Sequence, residues 1–123
     1  MKIIETKNAP AAIGPYSQAI EANGMVYTSG QIPLDPVSGA LEAVTIEEQT
    51  EQAIKNVAAV LQAAGSGLEK AGKTTCYIKD MSDFAVFNEI YSKYFVSKPA
   101  RSCVEVSALP KGALVEIEVI AEL

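Results

Sequence analysis

From Thr45 to Ala64 the chain places apolar side chains at helical spacing, and this one segment limits what can surround it. Ile46, Ala53, Ile54, Val57, Ala58, Leu61 and Ala64 fall on one stripe. Thr45 with Glu48 three residues later reads as a capping box, and Gly65 or Gly67 as the stop. A helix with one apolar stripe must lay it on another layer. The next segment supplies one: Thr74 to Lys79 alternates β-branched and aromatic residues as a strand. Ser82 or Asp83 then caps a second helix carrying Phe84, Phe87, Tyr91, Tyr94 and Phe95, which Pro99 keeps from continuing. Ser102 to Val106 and Leu114 to Ala121 read as the last strands, joined through Leu109-Pro110-Lys111-Gly112. Right-handed crossovers put both helices on one face of a single sheet.

Ahead of the first helix, Gln18 to Ala22 and Met25 to Thr28 flank Asn23-Gly24, the pair best suited to a type I′ turn, and so predict a hairpin. Lys2 to Thr6 adds a strand. Pro33, Asp35-Pro36 and Ser38-Gly39 make residues 29–44 a loop with a short extended stretch. The expected order is βββαβαββ, an α/β fold in one domain over residues 1–123. The last strand carries Val115, Ile117 and Val119 on one side, but also Leu114 and Ile120 on the other. A sheet face open to water is normally more polar, so the uncovered face is expected to be buried between subunits of a homo-oligomer.

The chain has no histidine, which removes serine–histidine triads, histidine bases and histidine metal ligands together. Its two cysteines, Cys76 and Cys103, cannot form a zinc site alone and are expected to stay reduced. A net charge of −5, with Arg101 the only arginine, argues against a nucleic-acid partner. No apolar run is long enough to span a membrane, and Glu5 follows the start too closely for a signal peptide, so a cytoplasmic location is expected.

Arg101, in Lys98-Pro99-Ala100-Arg101-Ser102-Cys103, is the first candidate for chemistry. Its planar fork can grip a small carboxylate through two parallel hydrogen bonds; the competing role is a structural ion pair with Glu105, Glu116 or Glu118. Glu116 and Glu118 are two apart in a strand and share a face. If Arg101 turns the same way, an anchor lies beside a possible base; otherwise the glutamates are a solvated strand face. Gly14-Pro15-Tyr16-Ser17 and Thr28-Ser29-Gly30-Gln31 could offer backbone N–H groups to an anion, or be an ordinary turn before the hairpin and a strand end. Tyr16 reads as a packing aromatic with its hydroxyl at the surface, and Asn88 as an amide bonding a nearby loop. Cys103 lacks a histidine to activate it as a nucleophile.

Four segments together carry a resemblance: NAPAAIGPYSQA (8–19), TSGQIP (28–33), KDMSDFAVFN (79–88) and PARSCVEVSALPKGALVEIE (99–118). In that order they resemble the Rid (YjgF) family of reactive-intermediate deaminases, over almost the whole chain. The resemblance implies a chorismate-mutase-like fold, a homotrimer with a central barrel, and active sites in clefts between subunits. It implies hydrolysis of 2-enamine and 2-imine acids, such as 2-aminoacrylate, 2-iminopropanoate and 2-iminobutanoate, to 2-oxo acids and ammonia. No metal or organic cofactor is implied. By the same resemblance Arg101 clamps the substrate carboxylate, the N–H groups of Gly30 and Cys103 assist, and Glu116 holds the attacking water. Tyr16, Ser29 and Asn88 would line the pocket, and Glu118 would be structural. One departure stands out: only Val96-Ser97-Lys98 separates Phe95 from Pro99, shorter than in many relatives. The alternative from another class is a non-catalytic protein that binds 2-oxo or amino acids and regulates a partner. A chaperone-like role has only composition behind it.

Overall fold

Asn23 and Gly24 take φ of 52° and 75°, the two positive values that a type I′ turn requires. The hairpin closes there with Ala22 opposite Met25. The computed structural model describes residues 1–123. Along the chain it forms β1 (Lys2–Ile4), β2 (Ala19–Ala22), β3 (Met25–Thr28), α1 (Ile46–Ala63), β4 (Ala71–Ile78), α2 (Phe84–Tyr94), β5 (Ala100–Glu105) and β6 (Val115–Glu122). The strands make one six-stranded sheet in the order β1-β2-β3-β6-β4-β5. Only β4 and β5 pair parallel, as expected for strands joined by a crossover through α2.

The expected element order holds, and both helices cover one face. On that face Val26, Thr74, Cys76, Ile78, Val115, Ile117 and Val119 are buried beneath Ala53, Ile54, Val57, Val60 and Leu61 of α1 and Phe87 of α2. The capping box forms as read: Thr45 Oγ1 accepts from the Glu48 N–H (3.1 Å) and Glu48 Oε1 from the Thr45 N–H (3.1 Å). The helix stops at Gly65, whose φ of 82° suits a residue without Cβ. Val60 rather than Ala58 completes the buried stripe.

Several expectations shift. The second helix is capped by neither Ser82 nor Asp83. Asp80 accepts from the Ser82 N–H (2.9 Å) and starts a 3-10 turn that runs straight into α2, leaving Asp83 in a helical conformation with no side-chain bond. β5 begins at Ala100, so Arg101 lies inside the strand rather than ahead of it. β4 starts earlier, at Ala71, with an irregularity between Ala71 and Lys73. β1 stops at Ile4 instead of Thr6, because Gln18 takes over the backbone groups that follow: its side chain accepts from the Thr6 N–H (2.7 Å) and donates to the carbonyls of Thr6, Ala9 and Pro10.

The extended stretch in loop 29–44 is a bridge between Gln31 and Ile117. The loop is tied down from α1 by buried Asn56, which donates to the carbonyls of Ile32 (3.0 Å) and Leu34 (2.9 Å). The sheet's other face has no helix over it. Across it runs the row Ile3, Ile20, Tyr27, Ile120 and Lys73, paired strand by strand, with Ile3 68% and Tyr27 39% exposed. No helix is long and apolar enough to cross a membrane.

Candidate functional site

The register of β4 with its neighbours assigns each candidate side chain to a face. Arg101 pairs with Thr74 and Cys103 with Cys76, and Thr74 and Cys76 are wholly buried beneath the helices. Arg101 and Cys103 therefore turn toward the helix side. Glu116 pairs with Tyr77 and Glu118 with Thr75, on the uncovered face. The arrangement in which Arg101 joins the glutamates on one face does not occur within the chain.

On the helix side, Arg101 Nη1 donates to Asn88 Oδ1 (2.6 Å). Its guanidinium carbon lies 4.8 Å from the centre of the Tyr91 ring and 5.5 Å from that of Phe84. The aromatic rings hold the fork in place while leaving its charge unneutralised. None of the ion pairs weighed for it forms: Glu105 accepts from the Met81 N–H (2.7 Å), Glu118 accepts from the Tyr77 hydroxyl (3.0 Å), and Glu116 is across the sheet. Asn88 thus serves Arg101 rather than a loop. Tyr91 is positioned by its hydroxyl, 2.7 Å from Thr74 Oγ1, and by stacking on Phe95 with ring centres 4.4 Å apart.

β5 is one of the sheet's two edge strands, so half its backbone groups have no partner strand. The Val106 N–H points inward to the Ile78 carbonyl (2.9 Å). Because successive N–H groups alternate, that of Cys103 points outward, beside Arg101. The Cys103 thiol is half-buried; burial raises its pKa, and Arg101 only partly offsets this. Cys76 is pushed up to about 12 by burial. Neither is a ready thiolate.

On the other side, Tyr16, Ser29, Gly30, Lys111 and Glu116 line a cavity of about 590 Å³. A Cβ on Gly30 would come 2.5 Å from Glu116 Oε2, so only glycine lets this carboxylate lie against the backbone. Ser29 and Gln31 use their N–H groups on the carbonyls of Gln18 and Ile117 (both 2.8 Å), while that of Gly30, between them, makes no bond. Ser29 Oγ donates to the Ser17 carbonyl (2.5 Å) and so fastens the 13–18 loop that carries Tyr16, itself 53% exposed at the cavity mouth. Burial raises the Glu116 pKa above the ordinary carboxylate value, and neighbouring Glu118 adds to the effect. No three histidine, cysteine or acidic side chains lie together so as to hold a metal.

The seven candidates thus fall into two groups: Arg101, Cys103 and Asn88 on one side of the sheet, Glu116, Gly30, Ser29 and Tyr16 on the other. Sequence reasoning took Phe84 and Tyr91 for core alone and missed them as the wall behind Arg101. Their spacing with Asn88, i, i+4 and i+7, places all three on one helix face and was the available signal.

A profile described as Endoribonuclease L-PSP matches residues 6–123. The chain belongs to this family, the YjgF/Rid family. Among Rid relatives, the mouse 2-iminobutanoate/2-iminopropanoate deaminase is 50% identical, over 98% of this chain and 90% of the mouse protein. AldR of Lactococcus lactis subsp. lactis, named as a proposed regulator, is 55% identical over 100% of this chain and 98% of its own. The solved structure of Escherichia coli TdcF with bound serine superposes with a TM-score of 0.95 at 43% identity, covering 100% of this chain and 99% of that one. The Rid fold is therefore shared throughout, while the names given to Rid proteins range from deaminase to regulator.

Proposed function

We propose that this Rid protein hydrolyses reactive 2-enamine and 2-imine acids to 2-oxo acids and ammonia, in a homotrimer whose sites are completed between subunits. The observation that carries the reading is the unneutralised Arg101 fork beside an unpaired N–H at an open sheet edge. This suits the carboxylate of a small acid. The uncovered face, with its row of Ile3, Ile20, Tyr27 and Ile120, and the exposed β5 edge are the surfaces a second and third copy would bury, and they would bring Arg101 of one subunit to the Glu116 cavity of another.

The chemistry then asks little of the protein. With its carboxylate held by Arg101 and the Cys103 N–H, a 2-imino acid presents a protonated C=N carbon that is already electrophilic. Glu116 takes a proton from a water poised over that carbon; the C–O bond forms as the C=N π electrons move to nitrogen. The same carboxyl returns the proton to the amine; the C–N bond then breaks as the carbinolamine hydroxyl gives its proton back to Glu116, releasing ammonia and the 2-oxo acid. 2-Aminoacrylate enters this route after tautomerising to 2-iminopropanoate. A carboxyl with a raised pKa is suited to both proton transfers. The deaminase name of the mouse relative supports this substrate class. RNA cleavage draws no support from a chain of net charge −5 without a histidine.

The bound serine of TdcF favours a second reading, amino- or 2-oxo-acid sensing without turnover. Ammonia release from 2-iminobutanoate generated in situ separates the two. Acceleration over the buffer rate, abolished in Arg101→Ala, supports the deaminase. A rate equal to buffer, with calorimetric binding of 2-oxobutanoate, supports the sensor.

A further inference from the structure

Arg101 is not alone in its cavity. A space of about 540 Å³ opens between the C-terminal end of α2 and the start of β5, and its walls carry Arg101 and Lys98 as cations, Asn88 and Ser92 as neutral polar groups, and Tyr91 and Val96 as apolar ones. No acidic residue lines it. The volume falls in the range of small-molecule sites, roughly 300 to 1,000 Å³, and exceeds what a four-carbon acid fills.

The short 96–98 segment is what brings Lys98 there. The turn closes with the Lys98 N–H donating to the Phe95 carbonyl (3.2 Å), and Lys98 takes a left-handed φ of 52°. Two unneutralised cations share one small space, and the arrangement lacks a partner for the second when Arg101 holds a carboxylate. Lys111 lines the other cavity, whose walls also carry Glu116.

We propose that Lys98 is a second carboxylate anchor, which makes 2-imino acids with an acidic side chain, of the 2-iminosuccinate and 2-iminoglutarate class, preferred substrates. An ammonium on a flexible stem can follow a side chain one or two methylenes long, where a rigid fork would not. Tyr91 and Val96 provide apolar surface for those methylenes. As a statement about turnover the proposal rests on the deaminase reading; as a statement about binding it does not.

The test compares 2-iminoglutarate with 2-iminobutanoate, each generated in situ, in the full-length protein and in Lys98→Gln and Lys98→Glu. The expected result is a ratio of kcat/KM favouring the diacid in the native chain, falling about tenfold in Lys98→Gln through KM and further in Lys98→Glu. An unchanged ratio overturns the proposal. If the native chain accelerates neither imine, the deaminase reading fails by itself, and calorimetry with 2-oxoglutarate and 2-oxobutanoate decides the anchor. Tighter binding of the diacid, lost in Lys98→Gln, upholds it, and equal affinities overturn it. Lys98 is exposed and bonds only through its backbone N–H, so these substitutions leave the fold in place.

Discussion

Arg101 and Glu116 point to opposite faces of the same sheet. β4 lies between their strands, and its alternate residues pair with them: Thr74 with Arg101, Tyr77 with Glu116. No rotamer change carries either side chain through a hydrogen-bonded sheet, so a small substrate touching both must sit between two chains. Mixing inactive variants tests this directly. When Arg101→Ala and Glu116→Gln chains are co-expressed and assemble at random, about one quarter of the sites combine an intact Arg101 from one chain with an intact Glu116 from another. Partial recovery of ammonia release is expected, from two parents that are each inactive. Purified mixed oligomers with no activity would show that the two residues do not serve one site.

Gly30 is required by contact rather than by φ. A methyl group there would meet the Glu116 carboxylate at 2.5 Å and displace it. Since that carboxylate is the free end of a flexible side chain, the fold should absorb the shift. Gly30→Ala is expected to leave the melting temperature nearly unchanged while reducing kcat about 10²-fold, the cost of roughly 1 Å of misplacement at a reacting group. A parallel loss of melting temperature and activity would instead make Gly30 a structural residue.

The raised pKa of Glu116 has opposite consequences for activity and stability. Burial is its first cause and Glu118 its second. The folded state binds the proton more tightly than the unfolded chain does. Glu116 therefore costs no stability below the ordinary carboxylate pKa, and its cost grows as pH rises through the raised value. Glu116→Gln should accordingly raise the melting temperature at pH 8 relative to the native chain, with the gain shrinking toward pH 4. Turnover should move the other way, falling as acid protonates Glu116, with a midpoint above the usual glutamate value. Melting curves and kcat at matched pH values check both signs.

What could be read from the sequence was local. Asn23-Gly24 and Thr45 with Glu48 each complete their structure within a few residues, and both formed as read. The face taken by Arg101 could not be read this way, because it depends on which β4 residue stands beside it, a pairing between segments about 27 residues apart. Gln18 illustrates the same limit. Its side chain organises backbone at Thr6, Ala9 and Pro10, and nothing in its immediate neighbours signals a buried amide. The capping of α2 failed for a nearer reason: Ser82 and Asp83 are both good cap residues, but Asp80 had already bonded the Ser82 N–H.

Cys103 lies beside Arg101, where a nucleophile would be well placed, yet its contribution is assigned to its backbone. Its thiol pKa is raised by burial, with Arg101 pulling the other way and losing. Histidine, the usual activating base, is absent from the chain. The outward N–H survives any side-chain replacement except proline. Cys103→Ser should therefore keep kcat/KM for 2-iminobutanoate within about threefold, an effect well below that of losing a reacting group. Alkylation by iodoacetamide at pH 7 should be slow at Cys103 and absent at Cys76, whose thiol stays protonated with a pKa of about 12. An inactive Cys103→Ser of native melting temperature, or a trapped adduct on Cys103 during turnover, would replace water attack with a covalent route.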